Sequence, residues 1–171
     1  MARIDTDLAT VLTAIVNRLI DQVILPDGET ALSDSTCFLW IDDGEDPAPA
    51  SGDTFVTVEV DGGNFDEALF IGGSTHQVTD DTAVMVTVWS QSRLDPAMRD
   101  KEFLTNSLSV MPMFQKVLKA LSGHDLVIDV AGDLCLRELI RPAGRGAPRK
   151  RGDSQGLISL RFAVSFDWDL T

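Results

Sequence analysis

From Ile158 to Leu170 every second residue is apolar: Ile158, Leu160, Phe162, Val164, Phe166, Trp168 and Leu170 alternate with Ser159, Arg161, Ala163, Ser165, Asp167 and Asp169. Successive side chains of a strand point to opposite faces, so this run specifies one long strand with one face on a core. A one-residue slip in its pairing would turn the whole apolar set outward, so the register is specified along with the element. Such a strand needs partners with the same pattern, and the chain supplies them. Thr54–Val60 sets Val56, Val58 and Val60 against Phe55, Thr57 and Glu59. Thr82–Ser90 sets Val84, Val86 and Val88 against Met85, Thr87 and Trp89. Thr36–Ile41 is shorter and almost wholly apolar, which predicts a strand buried on both faces. Leu126–Val130 and Leu134–Ile140 flank Ala131-Gly132-Asp133 and read as a tight hairpin.

Two segments carry the helical period instead. Leu8, Val11, Leu12, Ile15, Val16, Leu19, Ile20, Val23 and Ile24 follow the i, i+3, i+4, i+7 series, with Asp5 or Thr6 to cap the start and Pro26 and Gly28 to end it. A second helical region starts at Asp95-Pro96 and continues through Phe103, Leu104, Leu108, Met111, Phe114, Val117, Leu118 and Leu121, ending at Gly123. Pro112 lies inside it, and the apolar face stays in phase across that residue, which predicts one long kinked helix. The acidic, Pro- and Gly-containing stretch Asp42–Asp53 and the Gly- and Asp-rich stretch Gly62–Asp81 read as loops, the latter with a short strand at Ala68–Ile71.

The order is helix, three strands, helix, three strands, with no internal repeat and no linker. The expected fold is a single α+β domain over residues 1–171. It is a mostly antiparallel sheet of about five to six strands, packed against an N-terminal helix and a long Pro-kinked central helix, with an extended basic β-hairpin arm.

Charge is distributed unevenly. The chain has 27 acids and 14 bases, a formal net charge of −13. Residues 1–140 hold 24 of the acids and eight of the bases, whereas residues 141–171 hold six bases and three acids. A surface that is acidic overall repels phosphate, so sequence-specific nucleic-acid binding is not expected. The basic excess sits in Arg141, Arg145, Arg149, Lys150 and Arg151, within a Gly- and Pro-rich segment between two strands. One reading is a solvated hairpin tip. The other is an arm that docks on something negative: nucleic acid, although the segment has no aromatic residue to stack on a base, or the acidic body of a second copy. A chain negative in one part and positive in another can pair head to tail, and heterologous contacts of that kind close into rings.

Catalytic and metal motifs are not legible. His76 and His124 stand in loop-like sequence without ligand spacing, and Ser74, His76 and Asp80 are a polar loop before they are a triad. Asp42, Asp43, Glu45 and Asp46 do not follow the alternate-position spacing of a calcium loop. Gly144-Arg145-Gly146 lacks the third glycine and the following helix of a phosphate cradle. Cys37 and Cys135 lie in apolar strand-like runs and read as small buried hydrophobes. The expectation is a protein without cofactor, metal or catalytic site. Nothing at the start reads as a signal peptide and no apolar run is long enough to span a membrane, so synthesis and folding in the cytoplasm are expected.

The layout resembles the tail terminator proteins of long-tailed bacteriophages. The resemblance rests on the N-terminal amphipathic helix within Asp7–Leu25, on Met85–Leu121 beginning MVTVWSQSRLDPAMRDKEF, and on the closing strand Leu157–Leu170. It implies a structural virion subunit: a homohexameric ring at the neck that ends tail-tube growth and joins the tail to the head connector. The partners so implied are the chain itself, the tail tube protein and the head–tail connector proteins. The family carries no catalytic residues. Asp42–Asp53 and Gly62–Asp81 are longer than in the family's shorter members, and head-completion or stopper neck proteins are the nearest alternatives. An intracellular binding module or a small enzyme are alternatives of another class.

Overall fold

A computed structural model of the chain describes residues 8–41, 47, 54–66, 77–91, 109–126, 139–151 and 155–169. It is an α+β fold with two helices on one face of a mixed sheet. The elements are α1 (Leu8–Gln22), β1 (Cys37–Leu39), β2 (Thr54–Asp66), β3 (Gln77–Gln91), α2 (Val110–Leu121), β4 (Arg141–Arg145), β5 (Arg149–Arg151) and β6 (Gln155–Asp169). Five strands lie side by side in the order β1-β2-β3-β6-β4, and the short β5 shares the edge of β6 with β4. β1 runs parallel to β2, and all other pairings are antiparallel.

The register follows the valine pattern. Val88 pairs with Ile158, Val86 with Leu160 and Val84 with Phe162, while Val56 and Val58 pair with Val88 and Val86 on the other side. These residues share one face and are buried. Against them pack Val11, Ile15, Val16 and Leu19 of α1 and Met113, Phe114, Val117 and Leu121 of α2. The C-terminal part of α1 and the residues after it are tied to the C-terminal half of α2: Arg18 Nε donates to the carbonyl of Ala120 at 2.9 Å, and Lys116 Nζ donates to the carbonyl of Ile24. Residues 18 to 24 therefore run beside residues 120 to 116, so the helices are antiparallel.

The opposite face of the sheet is also buried over its β2–β3 half. Phe38, Phe55 and Trp89 stack in a row across three strands, with ring centroids 6.1 and 5.6 Å apart and planes within 8° and 2° of parallel. The Trp89 indole N–H donates to Thr57 Oγ1 at 3.0 Å, and the Thr87 and Ser159 hydroxyls bond at 2.9 Å. Polar atoms on this face thus satisfy one another, which is the condition for burying them cheaply.

Several expectations need correction. β2 and β3 are longer than the valine runs that mark them and take up both ends of the stretch expected to be a loop at Gly62–Asp81; the strand expected at Ala68–Ile71 lies outside the described residues. The strand continues past Val60 because the ladder shifts register between Val60 and Gly63. Gly62 takes φ 100°, which a side chain disfavours, and a Cβ on Gly63 would meet Thr82 Oγ1 at 3.1 Å. The expectation that Thr36–Ile41 is buried on both faces fails: β1 is a three-residue edge strand, Cys37 alone is in the core, and Leu39 and Ile41 are exposed.

The Pro-kinked helix is also not what the described residues show. Ser109 is extended (φ −79°, ψ 168°) and stands as the N-cap of α2, so Pro112 falls in the first turn. N–H groups there have no intrahelical acceptor, and proline's missing donor costs the helix nothing. The in-phase apolar residues misled because a break at an extended Ser109 can leave the phase of the neighbours intact. Asp95–Leu108 lies outside the described residues, as does the hairpin expected around Ala131-Gly132-Asp133. Its flanks are held by Gly123 N–H to the carbonyl of Ile140 at 2.8 Å and Ile140 N–H to that of His124 at 2.9 Å.

Phe55 is fully buried between two rings, so Phe55→Ala removes both stacking partners' contact and leaves a cavity. The expected loss is about 3–5 kcal/mol in chemical denaturation; a loss below about 1 kcal/mol would mean that the row adds little to stability.

Candidate functional site

The five bases singled out in the sequence occupy the edge of the sheet. β4 lies along β6 with Arg141 opposite Ala163 and Arg145 opposite Leu160. After Gly146, whose N–H donates to the carbonyl of Ser159 at 2.8 Å, β5 continues along the same strand with Arg149 opposite Leu157, Lys150 opposite Gly156 and Arg151 opposite Gln155. The positions from Ala163 to Gln155 span roughly 26 Å at about 3.3 Å per residue. Arg141, Arg145 and Arg149 are exposed.

The extended arm is thus corrected in its described part. Residues 141–151 do not project from the body; they are an irregular edge strand held to β6. The physical cause is the length of β6, which offers pairing positions well beyond Ala163 and binds a segment that composition alone would make a loop. The features that looked loop-like serve the edge instead. Pro142, the register shift between Pro142 and Gly144, and the run of bases all discourage further strand pairing on the outside.

A groove of about 380 Å³ opens beside Arg141, lined among others by Asp81, Ala83, Leu139, Arg161, Ala163 and Ser165. Arg161 belongs to this site and was not distinguished in the sequence, where it reads as one polar position of an alternating strand. Its Nε lies 2.9 Å from Asp61 Oδ2, with both side chains well exposed, a pair worth about 0–1 kcal/mol. Ala83 and Ala163, paired across β3 and β6, line it together with the bases Arg141 and Arg161 and the acid Asp81.

The remaining candidates are not assembled by the fold. Asp80 is buried and accepts a hydrogen bond from Thr82 Oγ1 at 2.5 Å, while Ser74 and His76 lie outside the described residues. Asp42, Asp43, Glu45 and Asp46 also lie outside them. Among the described residues, no three of His, Cys, Asp and Glu gather as metal ligands. Gly144-Arg145-Gly146 is part of the sheet edge and precedes no helix. The pKa of His124 is lowered, first by burial and then by Arg18, against the opposing pull of Asp125. Cys37 is buried, and burial together with Asp34 pushes its thiol up from 9.0 to about 12. Cys135 lies outside the described residues. Among those residues no helix is long and apolar enough to cross a membrane.

A thiol held neutral to such high pH is a poor nucleophile. In a Cys135→Ser background, Cys37 is expected to resist a thiol reagent at pH 8 in the folded state and to react fully in denaturant; rapid reaction of the native protein would overturn this. Between pH 9 and 12 the unfolded chain loses the thiol proton that the folded chain keeps, so this group's contribution to stability falls as pH rises.

No protein-family model matches the sequence, and no curated protein matches it. Among solved structures, one chain with 16% sequence identity aligns over 93% of this chain and 96% of its own length with a TM-score of 0.42, a likeness too distant to carry an argument about function.

Proposed function

We propose that this protein is a structural subunit of a phage tail neck rather than an enzyme: a tail terminator that forms a ring, most simply of six copies, on the end of the tail tube and joins it to the head connector. The observation that carries this reading is the separation of charge across one sheet. Thirteen residues at one edge, 139–151, hold five bases and no acid, in a chain of net charge −13. An edge of that kind suits contact with a negative protein surface, and the chain's own body is one.

The order of elements supports the same reading. α1, the second half of β3, α2 and β6 from Leu157 on fall within Asp7–Leu25, Met85–Leu121 and Leu157–Leu170, the segments on which the resemblance to tail terminators rests. On this reading the partners are further copies of the chain, the tail tube and the connector, and the protein belongs to the virion after assembly in the host cytoplasm. On this reading the basic edge of the sheet meets a neighbouring subunit, and no cofactor is required.

Electron microscopy of tails assembled with and without the protein tests this. The expected result is a ring of subunits at one end of each tube when the protein is present and tubes of uncontrolled length when it is absent. A single copy per tail, or binding scattered along the tube wall, would overturn it.

A further inference from the structure

We draw no further inference here: the strongest candidate, the groove on the sheet beside β4 and β6 that Arg141 and Arg161 line, carries nothing, because Arg161 is already paired with Asp61, Asp81 sets an acid against the two bases, and nothing in the structure shows what covers it.

Discussion

The long antiparallel pairing of β3 with β6 is the constraint from which the rest of the structure follows. Fifteen residue pairs, from Gln77 with Asp169 to Gln91 with Gln155, hold the two strands in one register. That register puts Val84, Val86 and Val88 beside Phe162, Leu160 and Ile158, all on the face that α1 and α2 cover. A slip of β6 by a single residue would turn Ile158, Leu160 and Phe162 away from the helices and bring Ser159 and Arg161 under them, burying a charge without a partner. The helices do not choose where to sit; they cover the face that the register makes apolar, and Arg18 and Lys116 then lock the two helices to each other.

The same pairing produces both borders. β3 occupies one side of β6's backbone, leaving the other side open for residues 141–151, so the basic segment is drawn onto the sheet rather than left in solvent. On the far side of β3, β2 extends past its valines only because Gly62 and Gly63 absorb a register shift, and β2 in turn seats β1 in parallel. β1 is short, its end is exposed, and Asp34 lies close to Cys37. A sheet with one irregular basic edge and one short edge resists indiscriminate strand addition, since charge, proline and brevity all discourage it.

The mixed character of the buried far face has a cost and a benefit. Thr57, Thr87 and Ser159 are polar atoms close to a row of aromatic rings, and each has a hydroxyl or indole partner there. Burying them unpaired would be destabilising by about 1–3 kcal/mol each. Paired, they add direction to the packing of Phe38, Phe55 and Trp89, whose near-parallel planes tie β1, β2 and β3 together from the side opposite the helices.

The alternation of Ile158–Leu170, the valine triplets and the helical period of α1 determined by themselves that this chain builds long strands under an amphipathic helix, because periods of two and 3.6 are properties of the backbone that any context must respect. The uneven placement of charge was equally legible, being a matter of counting. What only the tertiary structure decided is where segments without a period go. Arg141–Arg151 reads as a loop because Gly and Pro favour turns, yet β6 has an open edge and captures it. Pro112 reads as a kink because periodicity cannot see that Ser109 is extended. Thr36–Ile41 reads as an interior strand because apolar content does not tell an edge from a centre. Arg161 reads as one polar position among several, and it joins a groove with Arg141 only because antiparallel pairing sets residues far apart in sequence side by side. In each case the deciding energy is a long-range pairing or packing term, which local sequence does not contain.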